Sequence, residues 1–359
     1  MLDDSADAAP ADRREPASGA AQEPAPDAAA PAADSARARR LRRLTGSSAA
    51  YMAVVLAAVY ALFAITAPHA FPTAANGRNI VNDAAILLVM ATGMTYVMVA
   101  AGFDLSIGSV LVFGGICGSK TMTWLGTDNA LTIAAGLAAS LLGGLAWGLF
   151  NGFCVTRLRV PALITTLGSL GAALGIAQLM TNGNDVRDVP LTLIHLSTAT
   201  LFGFSYLVWV AVLVVVLGGL VLATTRFGRH TYIVGSNIEA ARRAGIDVNR
   251  HLMKLYALSG LLAGMAGMMS LTRFATTTIG GHSQDSLEVI TGVVLGGTSL
   301  YGGAGTIIGT VVGIFIPAVL NNGLVVKNVQ PFWQQVAIGF ILIAAVYVDQ
   351  IKRRARDRS

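Results

Sequence analysis

Apolar runs long enough to cross a bilayer, about 20 residues each, follow one another along the chain from residue 48 onward. They predict an all-α polytopic membrane protein with about ten transmembrane helices. The eighth run is short and rich in glycine, which is typical of a broken or re-entrant segment, so eight or nine full crossings stay open. The predicted helices cover 48–66, 84–101, 107–125, 130–153, 161–180, 205–225, 254–272, 287–301, 305–325 and 332–350.

The first 45 residues have a different pattern. They consist mainly of Ala, Pro, acidic residues and Arg, and they hold five of the eleven prolines. Such a segment buries too little apolar area to offset its ordering entropy, which predicts a disordered cytoplasmic tail over 1–45. The transmembrane domain is predicted over 46–351, with a cytoplasmic loop at 226–253, and a basic cytoplasmic tail over 352–359.

Composition supports the membrane assignment. The chain has 359 residues, of which 54% are hydrophobic and 12% charged, whereas a soluble domain carries about a quarter charged residues. The net charge of +6 does not indicate nucleic-acid binding, because the basic residues lie in terminal segments and short loops without a nucleic-acid motif. Cys117 and Cys154 fall in apolar runs, so neither a disulfide framework nor a zinc site is expected.

The distribution of basic residues predicts the orientation. With a cytoplasmic N-terminus, all but five of the 25 Lys and Arg residues fall in or beside cytoplasmic segments, as the positive-inside rule requires. Both termini are therefore predicted to be cytoplasmic, in a multi-pass protein of the cell membrane. The five exceptions are Arg78, Lys120, Arg187, Arg273 and Lys327.

The long cytoplasmic loop contains a short helix signal. Ser236 followed three residues later by Glu239 predicts a capping box, and Gly245 predicts a left-handed stop. The helix between them would present small alanines beside Arg242. Because an isolated helix this short is unstable in water, it either docks into a groove on another protein or packs against its own bundle, and both interpretations stay open.

Polar residues within or beside the apolar runs are candidates for the pathway or its gate. For Asp104 the alternatives are a helix-capping turn near Ser106 and direct contact with the solute. The asparagines have the same two alternatives of helix-end structure and solute binding, and the threonines either line the pathway or bond back to their own helix. These further candidates are Asn151, Thr165, Thr166, Asn321 and Asn322.

Three residues of the outer loop, His282, Asp285 and Glu288, are interpreted as contacts to solvent or to a binding protein rather than as metal ligands. No nucleophile with an adjacent base is present. No catalytic residue, cofactor or metal site is expected, so the chain is predicted not to be an enzyme.

A weak internal symmetry is also present. A Gly-x-x-x-Gly pair precedes Asn151-Gly152 and Pro161, and a second pair precedes Asn322-Gly323 and Pro331. In the predicted topology the two Asn-Gly steps lie on opposite sides of the membrane, as in an inverted repeat.

Several motifs together resemble one transporter family. Glu239-Ala-Ala, with Gly245 and Ile246, resembles the loop of ABC-importer permeases that contacts the ATPase subunit. Further stretches resemble the ribose/xylose/galactose-type permeases and cover nearly all of 75–350. They are Gly102-Phe-Asp104-Leu-Ser106-Ile-Gly108-Ser109, Pro161-Ala-Leu-Ile-Thr165-Thr166-Leu-Gly168, Gly296-Gly-Thr-Ser-Leu-Tyr-Gly302-Gly-Ala-Gly305, Asn321-Asn-Gly323 and Ala344-Ala-Val-Tyr-Val-Asp349.

The resemblance implies a helical bundle of the type II ABC importers, working as a dimer with a second permease copy. It implies a separate ABC ATPase, whose two ATP-binding modules are often fused in one chain, and an extracytoplasmic sugar-binding protein. No Gly-x-x-x-x-Gly-Lys-Ser/Thr loop occurs in this chain, which agrees with a separate ATPase. The residues that would contact the ATPase are Gly235, Ser236, Asn237, Glu239, Ala240, Ala241, Arg242 and Gly245.

The expected function is thus an ABC permease forming the pathway for a monosaccharide, a pentose such as ribose or a hexose. An ion-coupled secondary transporter is the alternative, although the predicted spans contain no interior carboxylate of the kind that class needs. An ABC permease for nucleosides or another non-sugar solute also stays open, because specificity in this family lies largely with the binding protein.

Overall fold

The computed structural model describes residues 48–282 and 284–356. Within these residues the chain forms thirteen helices and one two-stranded hairpin. The helices are α1 (Ser48–Thr66), α2 (Ala74–Val99), α3 (Ile107–Leu125), α4 (Ala130–Thr156), α5 (Ala162–Thr181), α6 (Leu191–Thr198), α7 (Tyr206–Thr224), α8 (Arg226–Ser236), α9 (Ile238–Arg243), α10 (Val248–Phe274), α11 (Asp285–Leu295), α12 (Ile307–Val326) and α13 (Pro331–Arg356). Strands β1 (Thr200–Leu201) and β2 (Phe204–Ser205) pair antiparallel between α6 and α7.

The all-α polytopic fold predicted from the apolar runs is confirmed, whereas the count of ten crossings is not. Six of the described helices, α2, α4, α5, α7, α10 and α12, are long and apolar enough to cross a membrane. α11 has only 11 residues, about 16 Å at 1.5 Å per residue, so it cannot cross the bilayer alone. The predicted tail over 1–45 lies outside the described residues.

Two helices lie at the centre of the bundle. In α2 and α10, 78% of the residues in the 18-residue apolar stretch are buried inside the protein. In α4, α5 and α7 the corresponding share is 22–28%. α10 packs most extensively on α4, and it also contacts α3 and α2. The α4–α10 contact is close because Gly144 and Gly148 of α4 face Gly260 and Gly264 of α10. Small residues allow such close backbone approach where lipid provides no hydrophobic driving force between helices.

The second glycine pair of the predicted inverted repeat is also a helix contact, since Gly309 and Gly313 of α12 face Gly292 of α11 and Gly296, which directly follows that helix. α11 ends at Leu295, six residues before the predicted end, where Gly297 takes a left-handed conformation with φ +88°. A connection of 11 residues, 296–306, then leads to α12.

The long predicted helix at 84–101 in fact begins at Ala74. Its first three turns are too polar to be recognised from hydropathy. They remain helical because the Thr73 hydroxyl accepts the Asn76 amide at 3.2 Å, and the Asn76 side chain donates to the Phe71 carbonyl and to Asn322. α10 likewise begins six residues earlier than predicted, capped by Asp247. At the other terminus, α13 continues through the predicted basic tail as far as Arg356.

Contacts between loops group the helix ends into two sets. At one end, Gly303 donates its backbone amide to the Val99 carbonyl, and the Tyr232 hydroxyl donates to the Gly305 carbonyl. At the other end, Arg273 pairs with Asp83, and Lys327 donates to the Thr66 carbonyl. The predicted cytoplasmic loop at 226–253 shares the first end with the α2–α3 loop and the α11–α12 connection, and this end is called the coupling end below.

Candidate coupling surface and buried polar clusters

The predicted short helix of the coupling end is present, but its N-terminus is organised differently. α9 begins at Ile238, and its N-cap is Asn237, whose side-chain oxygen accepts the Ala240 amide at 2.9 Å. The predicted Ser236–Glu239 capping box is therefore wrong. Ser236 instead ends α8, an 11-residue helix that the sequence analysis did not predict. The predicted left-handed stop is present at Gly245, with φ +79°.

One face of α9 is covered and the other is open. Ala241 is fully buried against Val234 and Val248 of the same chain. Glu239 and Ala240 are exposed, and Glu239 accepts a hydrogen bond from Arg242 at 2.8 Å within the same exposed face. Packing on its own bundle through Ala241 thus holds this short helix in place, and an accessible face remains. The exposed face of α9 consists of Ile238, Glu239, Ala240, Arg242, Arg243 and Ala244.

α8 connects this face to two other loops of the coupling end. A Cβ atom at Gly235 would overlap the Val99 carbonyl oxygen at the end of α2, so only glycine fits there. The Gly303 amide donates to that same carbonyl at 2.8 Å. Tyr232 donates to the Gly305 carbonyl at 2.6 Å, and burial raises the pKa of its phenol, so the hydroxyl stays protonated as the donor. A displacement of α8 and α9 would therefore move both the α2–α3 loop and the α11–α12 loop.

A buried polar cluster begins in the α2–α3 loop. Asp104 is 1% exposed and accepts three hydrogen bonds, from the Ser106 amide at 3.1 Å, the Ser106 hydroxyl at 2.6 Å and the Ser259 hydroxyl at 2.8 Å. Asn151 donates to the Ser106 hydroxyl at 2.9 Å and accepts from the Ser169 hydroxyl. The cluster joins the loop to α4, α5 and α10. No salt bridge to Asp104 is found in the described part of the chain.

These contacts bring three predicted candidates together, namely Asp104, Ser106 and Asn151. The helix-end interpretation of Asn151 is wrong, because this residue lies inside α4 and is 1% exposed. Ser169 and Ser259 complete the cluster and were missed, since an isolated serine in an apolar run carries no signal in one sequence. Hydrogen bonds from hydroxyls and an amide stabilise the buried carboxylate where no positive charge does.

Replacing Asp104 by alanine is expected to lower the free energy of unfolding by about 3 kcal/mol, since it leaves buried hydroxyl and amide donors without their acceptor. Ser259→Ala removes a single hydrogen bond to the carboxylate and is expected to cost about half as much. Thermal unfolding of the purified protein in mild detergent measures both. Equal midpoints for Asp104→Ala and the parent chain would show that the cluster does not stabilise the bundle.

The two threonines of α5 differ in the hydrogen bonding of their hydroxyls. The Thr166 hydroxyl donates to the Ala162 carbonyl at 2.9 Å, so this residue bonds back to its own helix, one of the two predicted alternatives. Thr165 is 7% exposed, and its buried hydroxyl has no hydrogen-bond partner in the described structure. Thr165 borders a cavity between α3, α4 and α5.

A second polar cluster lies toward the opposite end of the bundle. Asn321 donates to the Glu288 carboxylate at 3.0 Å, and Asn322 accepts from Asn76 at 2.8 Å. Asp83, which pairs with Arg273, lines a cavity of about 210 Å³ together with these residues. Both asparagines lie inside α12 rather than at a helix end. The structure therefore separates Asn321 and Asn322 from the Asp104 cluster.

The expectation that the acidic residues lie outside the spans or at helix ends is wrong for Asp83, which lies inside α2 because this helix begins at Ala74. Glu288 lies in the first turn of α11, and Asp104 lies in the loop between α2 and α3, although it is buried there. Nor is His282 a solvent contact. It is 9% exposed and bonds to Ser270 at 2.7 Å and to Asp285 at 2.6 Å. The loop folds back into the bundle, where the Gly108 amide donates to Ser286 at 3.0 Å.

No group of three or more His, Cys, Asp or Glu side chains suited to a metal ion occurs in the part of the chain that the structure describes. The two polar clusters consist of hydrogen-bonded carboxylates, amides and hydroxyls. A nucleophile paired with a base is absent from the described clusters.

Comparison with known proteins gives one family and a consistent group of relatives. The family model described as branched-chain amino acid transport system / permease component matches residues 77–346. The autoinducer 2 import system permease protein LsrC of Yersinia pseudotuberculosis is 34% identical over 284 residues, 78% of this chain and 78% of that protein. The protein of the same name from Escherichia coli is 33% identical over 278 residues, 77% of this chain and 80% of that protein. No solved structure matches.

Proposed function

The chain belongs to the family of permease components of branched-chain amino acid transport systems, and from this membership we propose how it couples to ATP, what it carries and how it assembles. It is a permease subunit of an ABC importer, a multi-pass protein of the inner membrane, and not an enzyme. ATP hydrolysis belongs to a separate ATPase partner, and a substrate-binding protein delivers the solute.

The ATPase docks on the exposed face of α9. The observation that carries this proposal is the division of α9 into a buried side, Ala241, and an open side that includes Glu239 and Ala240. The small side chains of Ala240 and Ala244, with Arg242 and Arg243 beside them, suit a groove on a partner, and a helix already held by its own bundle requires little reorganisation on binding. Gly235, Ser236, Asn237 and Gly245 set the position of this face.

Motion of the ATPase would reach the transmembrane helices through α8. Its contacts to Val99 and Gly305 lie at the loops that precede α3 and α12. The α2–α3 loop carries Asp104, and the Asp104 cluster ties it to α4, α5 and α10. We assign Asp104, Ser106 and Asn151 to a gating turn, which links movement at the coupling end to the position of α5.

The transported solute is proposed to be small, polar and sugar-like. The relatives with 33–34% identity are named as permeases for autoinducer 2, and the sequence motifs resemble permeases for monosaccharides. A pentose such as ribose, a hexose, or a sugar-like signal is therefore the proposed substrate class, with nucleosides as the alternative within ABC importers.

Purification of the tagged chain from its own host, in mild detergent, tests both assignments. A stoichiometric ABC ATPase, with its two ATP-binding modules in one or two chains, is the expected companion. The binding protein that is recovered with it, titrated with ribose, galactose, autoinducer 2 and a nucleoside, then identifies the substrate. A chain that is purified without any ATPase would contradict the proposal.

The pathway is proposed to form between two permease copies, with α5 at the contact. The exposed sides of α4 and α7 carry bulky residues such as Leu142 and Leu217, which suit lipid. α5 also exposes bulky residues such as Leu167, but it is the one of these three helices with fully exposed glycines, Gly168 and Gly171, and a Cβ atom added at either residue would meet no neighbour. Small residues on a membrane helix favour contact with another helix, and a second copy of this chain would supply it.

Cysteine cross-linking tests this contact. In a background with Cys117 and Cys154 replaced by alanine, Gly171→Cys is expected to give a disulfide-linked dimer of the chain on mild oxidation in membranes. Leu213→Cys, on the lipid-facing side of α7 and 58% exposed, is the matched control and should stay monomeric. Equal cross-linking at both positions, or none at position 171, would contradict a homodimer through α5.

Both termini are proposed to be cytoplasmic, with the coupling end inside. Support comes from the basic residues, since Arg157, Arg159 and the arginines of 226–253 all lie toward that end. The carboxylates of Asp83, inside α2, and Glu288, in the first turn of α11, are the features that favour the ion-coupled alternative, although Asp83 pairs with Arg273 and Glu288 bonds to Asn321.

A further inference from the structure

A cavity between α2, α11 and α12 combines polar and apolar walls. It has a volume of about 210 Å³ and lies opposite the coupling end, at the end of the bundle that is called the outer end below. Arg273, which pairs with Asp83 of the cavity, is the second-last residue of α10, so the cavity lies near the level at which α10 ends. The lining side chains are polar at Asp83, Glu288, Asn321 and Asn322 and apolar at Leu87, Ala318 and Val325.

The cavity is accessible, and its size suits a small molecule. The Asp83 side chain is 46% exposed and Val325 is 59% exposed, so the cavity opens at the protein surface. Its volume is below the roughly 300 Å³ at which pockets for drug-sized ligands begin, but it is far larger than the space that one water molecule needs. The ligand class that fits is therefore a small organic molecule or a hydrated ion.

Hydrogen bonds hold the polar side chains of the cavity in place. Asn321 donates to one carboxylate oxygen of Glu288 at 3.0 Å. Asn76 donates to the side-chain oxygen of Asn322 at 2.8 Å, and Arg273 donates to one carboxylate oxygen of Asp83. Side chains that are fixed by such bonds lose little freedom when they bind a ligand.

Each of these bonds leaves a second polar atom free. The second carboxylate oxygen of Glu288 and the side-chain nitrogen of Asn322 make no hydrogen bond among the described residues, and neither atom is sealed from solvent. The side-chain oxygen of Asn321, in contrast, is unpaired but inaccessible. The second carboxylate oxygen of Asp83 also makes no hydrogen bond in this part of the structure. Two acceptors and one donor are thus available to a ligand.

This set of groups selects for hydroxyls and against negative charge. A carboxylate accepts strong, charge-assisted hydrogen bonds from hydroxyl groups, and an amide nitrogen donates to a hydroxyl oxygen. The apolar walls suit the C–H faces of a carbon skeleton. The lining includes two carboxylates and no basic side chain, and Arg273 beside it is already paired with Asp83. An anionic ligand would therefore meet like charge without a counter-charge.

We propose that this cavity is a recognition site for a neutral, polyhydroxylated solute, a monosaccharide in its unphosphorylated form, and that it excludes sugar phosphates. Glu288 and Asp83 accept hydrogen bonds from solute hydroxyls, and Asn322 donates to a solute oxygen. The assignment of this ligand as the transported solute rests on the proposed function. The site itself lies within one copy of the chain and is bordered by neither α5 nor the exposed face of α9.

The first turn of α11 connects this site to the gating turn. Ser286 lies two residues before Glu288, and its hydroxyl accepts the Gly108 amide at 3.0 Å. Gly108 follows Ser106 of the Asp104 cluster by two residues. A solute bound to Glu288 would thus act on the same turn of α11 that contacts the start of α3, next to Ser106.

Saturation-transfer NMR of the purified full chain in mild detergent tests the proposal, with ribose, galactose and ribose 5-phosphate as probes. Neither ATP nor a partner is present, so failure here is distinct from failure of ATP-driven uptake. The parent chain is expected to bind the two neutral sugars with Kd values in the millimolar range, because a small ligand makes few contacts. Ribose 5-phosphate is expected to bind at least about tenfold more weakly.

Two variants and a control locate the binding. Ala318→Leu fills the cavity without removing a hydrogen-bonding side chain and should abolish binding of both sugars. Ala57→Leu makes the same change beside the apolar groove between α1, α2 and α12 and should bind like the parent. Glu288→Gln keeps an acceptor for Asn321 but removes the charge. It should weaken sugar binding roughly tenfold and reduce the preference for ribose over ribose 5-phosphate, which a merely structural role would not change.

A parent chain that binds neither sugar would overturn the proposal. So would unchanged sugar binding in Ala318→Leu protein that elutes as folded material. Should Ala318→Leu fail to fold, unchanged affinity and an unchanged preference in Glu288→Gln would overturn it instead. Loss of sugar binding when sodium replaces choline at constant ionic strength would assign the cavity to a cation and contradict the sugar assignment.

Discussion

Replacing Gly148 by leucine is expected to prevent accumulation of the folded permease. A Cβ atom at this position would overlap the carbonyl oxygen of Tyr256 and would lie 3.0 Å from the Cα of Ala257, both on the backbone of α10. Neither neighbour can rotate away, so α4 and α10 would have to separate along the most extensive helix contact of the bundle. The expected destabilisation is about 4 kcal/mol or more, at the upper end for a single substitution.

The measurement for this first prediction is the monodisperse fraction of fluorescently tagged protein on size exclusion in mild detergent. Gly339→Leu in α13 provides the control, since a side chain there would meet no neighbour within 4 Å. The control should elute like the parent chain, and Gly148→Leu should be aggregated or absent. A monodisperse Gly148→Leu protein would mean that α4 and α10 do not approach as closely as the structure describes.

Replacing Ala240 by tyrosine is expected to abolish ATP-dependent uptake while leaving the chain folded and inserted. Ala240 is on the exposed face of α9, so the bundle can accept the larger side chain, but a partner groove shaped for alanine cannot. Loss of a central contact of this kind weakens association by about 2 kcal/mol or more, roughly 30-fold. Recovery of the ATPase with the tagged permease and solute uptake into vesicles measure the effect.

Two further variants separate docking from folding. Ala75→Tyr makes the same change at an exposed alanine of the opposite end and should leave uptake unchanged. Glu239→Lys breaks only an exposed pair with Arg242, in which the side chains are 65% and 56% exposed. Such pairs contribute little to stability, so loss of uptake in Glu239→Lys would act through the partner. Normal uptake in both Ala240→Tyr and Glu239→Lys would remove α9 from the coupling mechanism.

The sequence predicts the helices best where hydropathy alone decides. α3 matches its predicted bounds at 107–125, and α12 differs from prediction by two residues at its start and one at its end. Hydropathy does not detect a helix whose polar side chains bond to other helices. The first turns of α2 are such a case, because Asn76 bonds to Asn322 and Asp83 bonds to Arg273. α8 was missed because Gly228 and Gly235 lower helix propensity. Only the fold reveals that these glycines allow contact with the Leu222 and Val99 carbonyls.

The candidate sites likewise divide into local features, which the sequence predicts, and contacts between distant residues, which it does not. Glu239, Ala240 and Gly245 could be predicted because a helix of six residues and its stop are local features. The assembly of Asp104, Asn151, Ser169 and Ser259 could not, since the distances that matter join residues up to 155 positions apart. Nothing in the sequence distinguishes Thr165, which lacks a partner, from Thr166, which bonds to its own helix.

The central claim is that a separate ATPase drives transport through this chain, and uptake into proteoliposomes tests it most directly. The permease is reconstituted with its ATPase and binding protein, and uptake of labelled solute is followed with and without ATP after ionophores have collapsed proton and sodium gradients. The account predicts uptake that requires ATP and the ATPase and survives the ionophores. Uptake by the permease alone, driven by an ion gradient without ATP, would contradict it and would assign Asp83 and Glu288 to ion coupling instead.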